Sequence, residues 1–330
     1  MDKDTFFSVI MPVYNVRKDY LYAALDSLKK QSYMNYELIM INDGADKETS
    51  EAIKEYDYSG LDFKLTEQNN QGQYISRING LKAAKGDYVF FFDSDDLLTR
   101  HAFETLNRLI RKNHPDVIIF SLPRFMNDES DMVSSPHFFD EGVIQKDKVI
   151  EELLKLHSNN ICSKCAKRSL LSTDISRIDK KLRNGEDLGQ ATRLILDSES
   201  FYYTKEDIYL YRDNQENREY YDTRNIHNVN FPVPLYQYVF VDHDTYNDKI
   251  GLFKASVINS VIYNAFKICR FVKNKKERRN LLDELNRQEI VSILNQIDAG
   301  IPLLSKIVFW ILNKRFYFIL NILAHIYPLS

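Results

Sequence analysis

Tyr88-Val89-Phe90-Phe91-Phe92-Asp93-Ser94-Asp95-Asp96 joins five apolar, strand-forming residues to a polar tip with three carboxylates in four positions. An apolar run without polar alternation is the signature of a strand covered on both faces, as in parallel sheets. Similar runs flank it on the N-terminal side. Phe6 to Met11 is apolar and strand-like, and Pro12, which cannot donate to a ladder, is expected to end it. Leu38-Ile39-Met40-Ile41 ends at Asn42-Asp43-Gly44, and Phe63-Lys64-Leu65 is a weaker strand. Between them the spacing predicts helices over 20–30, 47–56 and 74–84. In the first, Leu21, Ala24, Leu25 and Leu28 share one side. Gly86 follows the third, where glycine suits a helix C-terminus. A helix over 102–112 and a strand over 117–120 continue the rhythm.

Alternating strands and helices predict an α/β fold with a mostly parallel sheet flanked by helices. Ligands bind such sheets beyond the carboxyl ends of the strands. Three strands end in polar groups there: Tyr14-Asn15, Asn42-Asp43 and Asp93-Ser94-Asp95. In extended backbone Asp93 and Asp95 point the same way. Two carboxylates suit a hard divalent cation, Mn²⁺ or Mg²⁺, which completes its shell with water and substrate phosphates, so a diphosphate substrate is implied. Asp242-His243-Asp244 has the same form but no apolar strand before it, and reads as a solvated turn. There is no G-x-x-x-x-G-K-[ST] loop and no G-x-G-x-x-G after the first strand. With ten glycines in 330 residues, a glycine-rich phosphate cradle is not expected.

A hydrophobic fraction of 44% and a charged fraction of 28% are globular values. A net charge of -3 gives no global attraction to nucleic acid, and no nucleic-acid partner is expected. Three cysteines argue against a disulfide scaffold and for a reducing compartment. Cys162-x-x-Cys165 has no second pair to complete a zinc site and reads as ordinary buried cysteine. Met1-Asp2-Lys3-Asp4 lacks the pattern of a secretory signal, and a cytoplasmic location is expected.

Five ordered blocks resemble family 2 inverting glycosyltransferases of the GT-A fold, of the bacterial surface-polysaccharide type. Phe7 to Asn15 is similar to that family's opening strand, and Ser27-Leu28-Lys29-Lys30-Gln31-Ser32 to its S-x-x-x-Q-[ST] helix end. Glu37 to Asp46 resembles E-I-I-V-V-D-D-G-S-x-D; Asn70-Gln71-Gly72 and Gly80 to Asp96 resemble N-x-G and A-x-G-x-Y-I-x-F-L-D-S-D-D. This match covers roughly residues 6 to 98. A weaker one covers Asn160 to Arg168 (W-x-K-L-Y-K-R), Asn184-Gly185-Glu186-Asp187-Leu188 (G-E-D) and Tyr209-Leu210-Tyr211-Arg212 (Y-x-Y-R). Asn42 stands in place of the family's first aspartate and Ala45 in place of serine. Ser76-Arg77-Ile78-Asn79 departs from A-R-N, and Asp213-Asn214-Gln215-Glu216 departs from the usual histidine or serine pattern.

The resemblance implies transfer of a sugar, with inversion, from a nucleoside-diphosphate donor such as a UDP-sugar. The acceptor would be a hydroxyl of a saccharide or lipid-linked oligosaccharide. It implies a nucleotide-binding set of Pro12, Val13, Tyr14, Asn15, Asp43, Gly72, Arg77, Asp93 and Ser94. Within it, Pro12, Tyr14 and Asp43 would hold uracil and ribose. Asp93 and Asp95 would sit by diphosphate and metal, and Asp187 would be the general base, with Glu186 beside it. Without the resemblance, Glu186 and Asp187 read as acids opening a helix. A nucleotidyltransferase is the nearest enzymatic alternative, but Pro12-Val13-Tyr14-Asn15 is not its glycine-rich basic loop. A scaffold that kept the fold is the non-catalytic one, and retention of Asp43, Asp93, Asp95 and Asp187 argues against it.

Residues 1–215 are thus expected to form the catalytic domain and 216–330 a mainly helical region. Asn214 to Asn230 is polar and glycine-free, the composition of a connection. Residues 252–294 read as helices, with Lys267, Arg270, Lys273, Lys275, Lys276, Arg278 and Arg279 opposed only by Glu277. After Asp298 there is no acidic residue. Lys306, Lys314 and Arg315 stand among apolar and aromatic residues, which fits an interfacial helix on the inner face of the cell membrane. Packing on the catalytic domain or on another subunit of an oligomer is the competing expectation.

Overall fold

A computed structural model describes residues 4–127, 129–157, 159–173, 185–213, 232–243, 245–297 and 299–327. The described residues form two compact units. The first takes in 1–149, 160–179 and 193–214; the second takes in 150–159, 180–192 and 215–330. The polar connection Asn214 to Asn230 lies outside the described residues, as do Asn184, Asp244 and Asp298.

The first unit is built on an eight-stranded sheet. Its strands are β1 (Phe7–Val13), β2 (Tyr36–Asn42), β3 (Asp62–Glu67), β4 (Tyr88–Phe91), then β6 (Val117–Phe120), β8 (Gly142–Ile144), β9 (Lys164–Lys167) and β10 (Phe201–Thr204). The spatial order is β3-β2-β1-β4-β9-β6-β10-β8. β1 to β4 are parallel neighbours, as the apolar runs require; β9 enters antiparallel between β4 and β6. A smaller sheet holds β5 (Leu97–Leu98), β11 (Tyr209–Arg212) and β7 (Arg124–Phe125). Helices α1 (Lys18–Lys29), α2 (Lys47–Glu55), α3 (Gln73–Ala83) and α4 (Ala102–Asn113) fall within two residues of the predicted spans. Leu21, Ala24, Leu25 and Leu28 of α1 are all buried. Phe90 sits at the centre of the core, its ring against Phe103 of α4, Phe120 of β6 and Tyr209 of β11, with centroids 5.6, 5.8 and 6.1 Å away. Cys162 and Cys165 are buried in the same core.

Two local expectations change. β1 runs through Pro12 to Val13 in register with β2. Alternate residues of a central parallel strand bond to opposite neighbours. Ile10 accepts from Phe92 on the β4 side, and Val13 accepts from Asp43 on the β2 side. Pro12 has the parity of Ile10, so its missing N–H faces the place where β4 has already ended. Gly86, in turn, is not required by a helix end. A Cβ there would lie 2.5 Å from the Ser8 nitrogen and 2.7 Å from the Phe7 carbonyl carbon. The turn passes against the backbone of β1, anchored where Ser8 Oγ accepts from Gly86 N–H at 2.7 Å and Glu37 Oε1 accepts from Lys85 N–H at 2.7 Å.

α5 (Lys146–Leu154) and α6 (Glu186–Asp197) each have residues in both units. The second unit is helical, with α7 (Ile250–Phe271), α8 (Lys275–Asn286), α9 (Glu289–Gln296), α10 (Leu303–Asn313) and α11 (Tyr317–Ile326). α7 is its axis, packing on each of the other four. Phe253, Val257, Val261, Ala265 and Ile268 form the buried stripe of α7. No helix among the described residues is long and apolar enough to cross a membrane.

Gly86→Ala should lower stability by about 2–3 kcal/mol, because the obstruction is backbone that cannot turn aside. Gly300→Ala, where no atom lies within 4 Å of the added carbon, should be nearly neutral. Urea unfolding of both variants measures the contrast.

Candidate nucleotide and metal site

The carboxyl ends of β1, β2 and β4, adjacent in the sheet, bring the predicted polar groups onto one crest. Tyr14 leaves β1 53% exposed. Asn15 takes a left-handed backbone (φ 42°), and its Oδ1 accepts from Asp46 N–H at 2.8 Å, tying the end of β1 to the start of α2. Asn42 uses its side-chain oxygen to accept from Ala45 N–H at 3.0 Å, so it closes the turn after β2. Gly44 has φ +67°, and a Cβ there would lie 2.8 Å from Asn70 N, so the turn and the 68–72 loop meet backbone to backbone.

Asp43 is 2% exposed and holds that loop. Its Oδ1 accepts from Gln68 Nε2 at 2.7 Å and Gln71 N–H at 2.8 Å, and its Oδ2 accepts from Gly72 N–H at 2.8 Å. Gly72, at φ +88°, then leads into α3. α3 carries two side chains to the β4 crest. Arg77, fully buried, donates from Nη2 to Asp93 Oδ1 at 3.1 Å, and Gln73 donates from Nε2 to the same oxygen at 2.8 Å. Asp43 and Asp93 are thus linked through the loop and one helix.

Asp93 to Asp96 differs from the extended geometry expected of it. β4 ends at Phe91, and the four residues form a turn closed by Asp96 N–H donating to Asp93 O at 3.3 Å. The turn is held from below by groups to which the sequence assigned no role. Tyr209 of β11 donates its hydroxyl to Asp96 Oδ2 at 2.5 Å and accepts from Asp93 N–H at 3.1 Å. Arg212 donates its backbone N–H to Asp96 Oδ1 at 2.7 Å and its Nε to the Asp95 carbonyl at 2.6 Å. The Arg212 guanidinium lies between the rings of Tyr20 and Phe125, 4.1 and 4.3 Å from their centroids. The signal for this support was the Y-x-Y-R run itself, in which Tyr209, Leu210 and Arg212 are buried and Tyr211 is exposed.

Burial, with the charges of Asp95 and Asp93, raises the Asp96 carboxyl well above the usual range. Burial and the charge of Asp93 push Asp95 up to about 6. Each carboxyl of the turn therefore disfavours ionisation of its neighbours. Asp93 and Asp95 carry hard oxygen donors of the kind a divalent cation takes. Among the described residues no group of three or more His, Cys, Asp or Glu converges to form a closed cage. A cation there would draw its other ligands from water and from a bound diphosphate. Ser94 is buried between the two carboxylates in sequence.

Glu186 and Asp187 form the first turn of α6, directly after Gly185, whose φ is +104°. They belong to the second compact unit, whereas all the other predicted site residues belong to the first.

The sequence matches the family model described as "Glycosyl transferase family 2" over residues 8–173, half of the chain. It is 26% identical over 211 residues to the uncharacterized glycosyltransferase EpsJ of Bacillus subtilis, covering 63% of this chain and 61% of EpsJ. It is 40% identical over 117 residues to the poly(ribitol-phosphate) beta-N-acetylglucosaminyltransferase TarP of Staphylococcus aureus, covering 34% of this chain and 35% of TarP. The matched stretches thus span less than two thirds of these relatives' own lengths. Among solved structures, S. aureus TarS 1-349 in complex with UDP-GlcNAc aligns with a TM-score of 0.69 over 96% of this chain and 89% of that one, at 18% identity. At that identity the likeness is one of fold, the GT-A arrangement with helices C-terminal to it.

Tyr209→Phe removes both the donor to Asp96 and the acceptor for Asp93 N–H in a buried place. It should cost about 1–3 kcal/mol of stability, read as a lower midpoint in chemical denaturation.

Proposed function

The chain belongs to glycosyl transferase family 2, and from that premise we propose that it transfers a sugar from a UDP-sugar to a saccharide hydroxyl in cell-wall or other surface-glycan synthesis. The observation that carries this reading is the shared crest of β1, β2 and β4, where Asp43 fixes the 68–72 loop and Arg77 fixes Asp93. TarS was solved with UDP and with UDP-GlcNAc, and TarP is named for N-acetylglucosaminyl transfer. UDP-GlcNAc is therefore the first donor to try.

In this proposal Pro12, Val13, Tyr14 and Asn15 line the side of the crest that receives uracil and ribose, with exposed Tyr14 as the group free to move against the base. Asp43 shapes the same pocket by holding the backbone of Gln71 and Gly72. Arg77 is a positioning residue that fixes the Asp93 carboxylate, while Ser94 and Asp95 complete the rim. Asp93 and Asp95 would hold Mn²⁺ or Mg²⁺, which neutralises charge growing on a leaving diphosphate. Asp187 accepts the proton of the acceptor hydroxyl as that oxygen attacks the anomeric carbon. The bond from carbon to the diphosphate oxygen breaks with its electron pair going to UDP, and a single displacement inverts the centre. Glu186 orients the acceptor. Residues 1–215 act as the catalytic domain and 216–330 as a mainly helical region for contact with a membrane surface or another subunit. A lipid-linked acceptor places the reaction at the cytoplasmic face of the membrane.

Release of UDP from a panel of UDP-sugars with Mn²⁺ tests the donor. One donor should be hydrolysed or transferred, with loss of the reaction in EDTA. Asp95→Ala should lower turnover roughly 100-fold or more. Asp187→Asn should lower kcat by about 10²–10⁴-fold with little change in UDP affinity. Near wild-type turnover by Asp187→Asn removes it as the base, and a panel that neither reacts nor binds with metal overturns the transferase reading.

A further inference from the structure

A helix on the surface of a soluble bundle buries one stripe and shows water a polar one. α10 and α11 do not follow this rule. α10 turns Val308, Phe309, Ile311 and Leu312 inward, yet its opposite face carries Leu303, Ile307 and Trp310, 72%, 46% and 52% exposed. α11 buries Leu320 and Ala324, yet shows Phe318, Ile322 and Ile326, 79%, 44% and 66% exposed. These outward residues fall three or four apart, so each helix has two apolar faces. The helices pack against each other, and Trp310 and Phe316 meet at their junction with centroids 5.6 Å apart. Trp310 and Phe316 are themselves 52% and 46% exposed, so the apolar surface runs from one helix to the other at this junction, and exposed apolar surface of this kind marks an interaction site.

The charge carried by these two helices and the turn between them has one sign, and only Arg315 among their cations has an ion pair, with Asp283 of α8 at 3.6 Å, among the described residues. From residue 299 onward there is no Asp or Glu, while Lys306, Lys314 and Arg315 are exposed. The Arg270 guanidinium donates to the carbonyls of Ala324 and Tyr327 at the end of α11. Arg278 Nη1 donates to Asn321 Oδ1 at 3.0 Å. These bonds hold the exposed cations Lys273, Lys275 and Lys276, at the turn into α8, beside α11.

We infer that the α10–α11 face docks on an anionic lipid surface, its apolar residues entering the headgroup boundary and its lysines meeting lipid phosphates. A second copy of the chain is a poorer occupant. Two-fold pairing through this face would bring like cations together with no acid in the segment to offset them. A bilayer supplies both the apolar phase and the opposite charge. The helices lie on the surface rather than through it, because 11 residues of α-helix reach only about 16 Å against a hydrocarbon core of about 30 Å. The inference deepens the membrane-surface part of the proposed function and is independent of the donor chemistry.

Trp310 is the single tryptophan of the chain and lies within the patch, so it serves as the reporter. The full-length protein should sediment with phosphatidylglycerol–phosphatidylcholine vesicles, and its tryptophan emission should shift to the blue. Phosphatidylcholine vesicles alone, or high salt, should weaken both signals. Ile322→Glu keeps the reporter and should reduce binding about tenfold or more, with unchanged far-UV circular dichroism and unchanged UDP binding. Lys306→Glu with Lys314→Glu should do the same through charge alone. Unchanged emission and no sedimentation with any vesicle overturn the inference. So does a concentration-dependent dimer that Ile322→Glu dissociates while vesicles have no effect, which assigns the face to a second copy. UDP release is measured without lipid, so neither result bears on the donor chemistry.

Discussion

A carboxyl group taken out of water must find hydrogen-bond partners, and at Asp96 this requirement organises the turn above it. Its partners are the Tyr209 hydroxyl and the backbone N–H of Arg212, more than 110 positions away in sequence. Meeting them fastens β11 under the end of β4. Tyr209 then reaches Asp93 through its backbone N–H, and Arg212 reaches the Asp95 carbonyl. The backbone of Asp93 and Asp95 is thus held by the groups that satisfy the buried carboxyl of Asp96. The burial that raises the Asp96 carboxyl also favours its protonated form, so the turn does not have to accommodate three full negative charges side by side.

The same division of labour recurs along the sheet. Glu37 sits at the amino end of β2 and binds the Ser8 hydroxyl and the Lys85 N–H, which fixes the tight passage of Gly86 across β1. Asp43, at the carboxyl end of the same strand, fixes the 68–72 loop. In each case a buried acid accepts from at least one backbone N–H, one for Glu37 and two for Asp43, and so fixes a backbone position. Asp93 is different: side chains from α3 hold it, and it remains partly exposed. Loop shape thus rests on acids that accept from backbone donors, whereas the Asp93 carboxylate accepts from the side chains of Arg77 and Gln73.

The strands and helices of the first unit were legible because burial leaves a regular mark on each, unbroken in the central strands and striped in the helices. β1, β2, β4 and β6 are buried throughout and read as unbroken apolar runs, and α1 buries every residue of its predicted stripe. Pro12 misled because a proline's cost depends on which neighbour its missing N–H faces, a question of strand order rather than local sequence. Gly86 misled for a similar reason, since the obstruction is the backbone of β1, nearly 80 residues earlier. The crest was legible as a set of strand ends. The turn geometry of Asp93 to Asp96 was not, because it is imposed from β11. Arg212 was visible as part of a motif, but its two ring contacts come from α1 and β7.

The second unit obeys a different constraint. The sequence of α7 reads as a buried axis because its apolar residues outnumber what one stripe needs and four helices cover them. α10 and α11 are apolar as well, but each keeps apolar residues exposed opposite its buried stripe among the described residues. Apolar surface left in water is unfavourable by roughly 25 cal/mol for each Å², and a protein keeps a large patch where something other than water meets it. The acids that solubilise α8 are missing after residue 299, while the lysines are kept. Loss of acids alone would leave a cationic polar face; added leucine alone would leave a sticky neutral one. Both departures on one pair of helices are the two observations on which the inferred docking to an anionic lipid surface rests.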